Sequence, residues 1–446
     1  DTNKVSSNLL GTSGTGTMTF SNLDWNIPAG TSKTVLVRVD LSNNQASGTA
    51  GDLYAFDIAA TGDVTSLDSD SNTVNPGTAA KNGTTSPTQV LTVKNGGSMT
   101  LAQSADSAQK GSVYWGQANA PISKFRLSAT DEGQYIEKLT IGASDSTEIT
   151  NAKSNVNSVL LSYKNKAGST LTTSQAMGNG ASVNFAWSAG DANRPYVPQD
   201  STMEISVNAN MKTKEQGATP TNASPGSIFF SLDLLDKFNG SYTNGFRAVG
   251  DGSGTVLDGT STNIADVLGA NDQYVFRVYP KIEQVALASP YNLIGTPTVF
   301  KFSITAMGLG DSFLRFDNQS TGSGSIKFEI EASGQHDGAA GTSTTYTIYD
   351  ESNVTIDTSS SSGESLTSRN ASLSFNFSSK DVEISGGGTK TFRVQIDNPS
   401  TYYAKTSSTG RAADFFQLTL LDNEAGLLNW VADYNNATTA VDTASV

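Results

Sequence analysis

Met203-Glu204-Ile205-Ser206-Val207-Asn208 carries an apolar side chain at every second position and closes on an amide. Val35-Leu36-Val37-Arg38-Val39-Asp40 and Phe392-Arg393-Val394-Gln395-Ile396-Asp397 alternate in the same way and close on a carboxylate. In an extended chain, side chains i, i+2 and i+4 share a face, so each run reads as a half-buried strand. Asp and Asn bond their own backbone and favour the turn that follows.

The neighbours of these runs repeat as well. Upstream lie Met18 and Phe20 with Trp25, then Val183, Phe185 and Trp187, then Leu373, Phe375 and Phe377. Downstream lie Tyr54, Phe56 and Ile58, then Phe230, Leu232 and Leu234, then Phe416, Leu418 and Leu420. Three strands recur in one order at a spacing of roughly 170–190 residues, which is an internal repeat. An earlier part of the repeat occurs twice: Lys124-Phe125-Arg126-Leu127-Ser128-Ala129 matches Lys301-Phe302-Ser303-Ile304-Thr305-Ala306. Val159, Leu161 and Tyr163 then correspond to Tyr346 and Ile348.

Most runs lack between them the dozen-residue helical crossover that parallel strands require. Gly- and Asn-rich turns, such as Asn95-Gly96-Gly97 and Asn239-Gly240, supply positive φ for hairpins. The fold expected is therefore all-β: tandem antiparallel β-sandwich modules of Ig-like type. Residues 1–87 read as the second half of a module, its first half missing or supplied by another chain. Residues 88–271 and 272–446 read as two full modules, the second repeating the first. One helical turn is expected near Thr262–Leu268, capped by Thr262 or Asn263 and ended by Gly269.

Composition narrows the chemistry. The 446 residues include 28 basic and 42 acidic side chains, a net charge of −14, one His and no Cys. Without Cys there are no disulfides, thiolate metal sites or thiol nucleophiles. No basic cluster is present to neutralise phosphates, so nucleic acid is not an expected partner. No stretch approaches the ~18 apolar residues that span a bilayer as a helix. Charged residues make up only 16%, below the roughly 25% of an average domain, so neutral hydroxyls and amides form much of the surface.

Candidate sites are few. His336 sits in a Gly-flanked loop, with no nucleophile elbow in the chain to serve it. A pair of glycosidase carboxylates needs only a suitable separation, but the four Trp residues are scattered rather than gathered beside acids, and no enzyme activity is expected. Nucleotide-binding glycine motifs are absent. Calcium is the cofactor the sequence favours, because it takes six to eight oxygen ligands. Asp68, Asp70 and Asn72 give the D-x-D-x-N opening of such a loop, without its later Gly and Glu. Asp251 with Asp258 is a second candidate. The Asn-x-Ser/Thr sequons, from Asn82 to Asn436, are no more numerous than the composition yields by chance.

The Lys-Phe-x-[Leu/Ile]-[Ser/Thr]-Ala strand, followed by Tyr135-Ile136-Glu137-Lys138-Leu139-Thr140-Ile141, resembles repeats in large bacterial cell-surface proteins of Ig-like, S-layer type. That resemblance implies an extracellular location, tandem sandwiches, assembly on the cell surface and no catalytic residues. The function expected is a structural extracellular protein that assembles with copies of itself into a surface layer or filament, with strand donation between subunits as one route. The alternative is an adhesin or carbohydrate-binding protein using exposed aromatics such as Tyr402, Tyr403 or Trp115 against surface glycans.

Overall fold

A computed structural model describes residues 19–20, 23, 25–34, 53–55, 64–74, 90–92, 96–178, 180–213, 215–216, 228–287, 296–316, 325–333, 344–361, 371–380, 382–396, 415–420, 429–433 and 444–445. Val35–Asp40, His336, Tyr402 and Tyr403 lie outside them. By its contacts the chain divides into residues 1–47 and residues 48–446. The second unit holds two hydrophobic cores. One gathers buried residues between Met99 and Val275, the other between Val278 and Leu418.

The first core is covered by a five-stranded sheet. Its order is Thr170–Ala176, Val156–Lys164, Ser201–Met211, Ala120–Thr130 and Ser98–Gln103. The quoted Met203-Ile205-Val207 run is its central strand. Met203 pairs with Leu127 and Ile205 with Phe125, and all four are buried. The alternation therefore does what its period dictates, sending one side chain in two to the core. Facing it, Gln134–Gly142 is flanked by Ser182–Ala186 and Arg247–Gly250, and further along by Tyr196–Val197 and Asp233–Leu235.

The second core is covered by a sheet of the same order. Thr355–Ser361, Thr344–Tyr349, Thr389–Ile396, Thr298–Gly308 and Val278–Gln284 follow one another from edge to edge. Here Phe302 pairs with Phe392, whereas the equivalent Phe125 pairs with the middle apolar residue, Ile205. A two-residue slip of this kind keeps the inward face inward. The second core is also more aromatic: Phe302, Phe328, Phe375, Phe377 and Phe392 meet in three edge-on contacts and one stacked contact, with ring centroids 5.3–5.9 Å apart. Such geometries add to area burial because ring edges and faces carry opposite partial charge.

The sheets are antiparallel as expected, with one exception among the described residues: Gln273–Phe276 runs parallel to Gly111–Tyr114. These segments are so far apart in sequence that the long intervening chain supplies the crossover. No helix forms at Thr262–Leu268; there, Val267 makes an isolated bridge to Leu234. A helix does form at Ser146–Asn155, opened by Asp145, whose side chain accepts a hydrogen bond from the Thr147 amide at 2.8 Å. At the corresponding point in chain order the second sandwich has a strand instead, Ser325–Ser333.

Candidate functional site

An open cleft of about 480 Å³ lies where the strand Gly111–Tyr114, the inner strands Ala120–Thr130 and Ser201–Met211, and the start of Val278–Gln284 come together. Its walls mix neutral polar side chains with apolar surface from residues such as Ala108, Val113 and Pro121. Gln109, Gln117, Ser206, Asn208 and Gln273 supply amides and a hydroxyl, Asp106 and Lys124 supply charge, and Tyr279 supplies an aromatic wall. The alternation of Ser201–Met211 explains the polarity. Ile205 and Val207 face the core, so Ser206 and Asn208 face the other way.

Several of these groups are held in place. The Gln273 side chain donates to the carbonyls of Gln109 at 2.8 Å and Asn271 at 3.3 Å. Gln117 Oε1 accepts from the Tyr114 amide at 3.1 Å, and Asn208 Nδ2 donates to Asn119 Oδ1 at 2.9 Å. Lys124 Nζ stands 3.4 Å from Glu204. The side-chain hydroxyls of Ser112 and Ser206 and the side-chain amide nitrogen of Gln117 have no hydrogen-bond partner among the described residues, so donors and acceptors remain for a ligand. The Tyr279 hydroxyl is pushed above the usual phenol range by burial and by the neighbouring Tyr114, which keeps it neutral. The two rings stand 6.4 Å apart.

Trp115 is not the exposed sugar platform considered from the sequence. It is 5% exposed, with its indole N–H donating to Asn155 Oδ1 at 3.2 Å. Trp187, equivalent in the repeat to Trp25, packs edge-on against Tyr163 at 5.4 Å and donates to the Tyr163 hydroxyl. Tyr279 was missed because one Tyr in an alternating strand looks like any half-buried strand residue.

The calcium candidates are placed differently from one another. Asp68 Oδ1 accepts from the amides of Asp70 at 2.9 Å and Asn72 at 2.8 Å, and Asn72 Nδ2 donates to Asp68 Oδ2 at 3.1 Å. The backbone and side-chain hydrogen bonds from Asn72 hold the Asp68 carboxyl below its usual range. The carboxylate thus organises the turn between Ser66–Leu67 and Thr73–Val74, as Asx turns do. Asp251 pairs with Lys166 at 2.6 Å and accepts from the Tyr196 hydroxyl at 3.0 Å, while Asp258 caps Thr260 at 2.9 Å. The two are committed to separate partners. Among the described residues no three His, Cys, Asp or Glu side chains converge on a metal position.

No protein-family model and no curated protein matches the chain. Its likeness to solved structures is faint. Recombinant N-glycanase F (PNGase F) is 10% identical, with 72% of this chain and 93% of that one covered at a TM-score of 0.18. The N-terminal CBM22 tandem domain of a Paenibacillus barcinonensis protein is 8% identical, with 68% and 86% covered at 0.14. A fucolectin from striped bass, Morone saxatilis, is 9% identical, with 62% and 83% covered at 0.13. Scores this low carry no argument about ligand or activity. No helix among the described residues is long and apolar enough to cross a membrane.

Proposed function

We propose that this chain is a non-catalytic, extracellular β-sandwich protein that holds a neutral glycan in the cleft beside Tyr279. One observation carries the reading: an open groove of about 480 Å³ whose wall combines oriented amides and hydroxyls with a neutral phenol ring. Sugars present hydroxyl edges and C–H faces. Amides and hydroxyls match the first, an aromatic face matches the second. The test is a glycan array probed with the whole chain, followed by titration of any hit against Asn208→Ala and Tyr279→Ala. Each variant is expected to weaken binding about tenfold, the equivalent of about 1.4 kcal/mol. Binding to no neutral glycan, or wild-type affinity in both variants, overturns the reading.

A second reading, assembly with copies of itself, is favoured by a different feature. Thr170–Ala176 is the outer strand of its sheet and, among the described residues, pairs only with Val156–Lys164. Its sequence, Thr-Leu-Thr-Thr-Ser-Gln-Ala, contains none of the Lys or Pro residues that blunt exposed edges. Concentration-dependent sedimentation that disappears in Thr172→Lys/Ser174→Lys would support this reading. A monomer at all concentrations would remove it.

A further inference from the structure

The backbone bridge between Leu234 and Val267, with hydrogen bonds of 3.3 and 2.8 Å, brings two short segments side by side. Asp236 and Asp266 lie on them. Asp266 Oδ1 accepts from the Asp236 amide at 2.7 Å, and the two carboxyl groups stand within hydrogen-bonding reach of each other. Asp236 is only 8% exposed. Its Oδ1 is shut off from solvent and has no hydrogen-bond partner among the described residues. Asp266 is exposed, so the pair opens to solvent on one side.

Two facing carboxyl groups are held together by a shared proton or by a cation between them. No lysine or arginine among the described residues forms an ion pair with either. The Lys237 ammonium lies over the Tyr242 ring at 4.3 Å and acts on both carboxylates through its charge alone, without a contact ion pair. The backbone is crowded around the pair. A Cβ on Gly259 would meet both the Tyr242 ring and the Asp236 carbonyl oxygen, and one on Gly245 would collide with that same oxygen. Every donor presented here is oxygen, one carboxylate is buried and poorly served, and the other is accessible. That is the chemistry of a hard divalent cation rather than of a soft or imidazole-seeking metal.

We propose that Asp236 and Asp266 together form a calcium site that pins the segment around Asp266 to the end of the strand Asp233–Leu235. The remaining coordination comes from backbone carbonyls and water. Consistent with this, burial and then the Asp266 carboxylate push the Asp236 carboxyl up to about 6 in the absence of a cation. The site is distinct from Asp68-Asp70-Asn72 and from Asp251 with Asp258.

The experiment uses the whole chain at neutral pH, with thermal melts in chelator, in millimolar CaCl₂ and in NaCl of matched ionic strength. At calcium well above its dissociation constant, the first sandwich is expected to melt at least about 3 °C higher in CaCl₂ than in either control. Asp266→Asn keeps an acceptor for the Asp236 amide but removes one charge. It is expected to melt higher than wild type in chelator and to show no calcium shift. Asp68→Asn is expected to keep the shift. Terbium gives a second readout: emission sensitised by Tyr242, displaced by calcium and lost in Asp266→Asn. Identical wild-type melts in calcium and chelator, as a shared proton alone would give, overturn the proposal. So does a calcium shift that survives Asp266→Asn.

Discussion

At the scale of single residues, Glu132 shows how the molecule spends a charge on loop order. Its carboxylate accepts from the Gly97 amide at 3.0 Å, the Gly252 amide at 2.5 Å, the Ser253 amide, and the Ser253 hydroxyl at 2.7 Å. The turn at Glu132 is thereby tied to two loops distant in sequence. Burial alone would raise its pKa, but the donors outweigh burial and hold it below the ordinary value of 4.5. A carboxyl depressed on folding stabilises the protein above its unfolded pKa, and this stabilisation is lost as pH falls through the folded value. Glu132→Gln turns an NH₂ group toward some of these donors. It is therefore expected to cost about 1–3 kcal/mol at pH 7. Wild type and variant should converge as pH falls through the folded value. Urea denaturation as a function of pH measures this, and a gap that stays constant on acidification would show that the charge is not what matters.

At the scale of elements, the helix Ser146–Asn155 shows what a capping residue decides. Asp145 takes the extended conformation, accepts from the Thr147 amide and stands before Glu148 in the first turn, with Lys153 in the last. Both charges suit the helix dipole. Asp145→Ala is expected to cost about 0.5–2 kcal/mol in chemical denaturation, while Asp145→Asn restores most of it. If alanine and asparagine are equally harmful, the charge rather than the cap is the source. The same helix measures what could be read from sequence. Strands such as Ser201–Met211 and Thr298–Gly308 were legible because alternation is local and their burial follows it. The helix was overlooked although Asp145-x-x-Glu148 spells its start, because a polar ten-residue segment offers no apolar stripe. The parallel pairing of Gln273–Phe276 with Gly111–Tyr114 was not legible at all. It depends on where a long intervening chain returns. The cleft and the Asp236–Asp266 pair are hidden for the same reason, since each is assembled from side chains on separate elements. Asp68-Asp70-Asn72 shows the opposite case, a motif whose oxygens are used by its own turn.

At the scale of the whole molecule, residues 96–433 present two cores that share no buried residue. They meet where the chain bends at Arg277 between the strands Gln273–Phe276 and Val278–Gln284, and through aromatic contacts, Tyr114 with Tyr279 at 6.4 Å and Phe276 with Tyr279 at 5.9 Å. A junction of that kind transmits little folding free energy compared with either core. Calorimetry of the whole chain is therefore expected to show two transitions. Phe328→Ala removes a fully buried ring that touches Phe300, Phe302 and Phe375. It should cost about 3–5 kcal/mol and lower only the second sandwich's transition. Leu127→Ala, from the first core, should cost about 2–5 kcal/mol and lower only the other. Calcium, if it acts through Asp236 and Asp266, must raise the same transition that Leu127→Ala lowers. That links the cation proposal to the assignment of the two cores. A single transition displaced as a whole by both substitutions would instead make the Tyr279 junction part of one cooperative body.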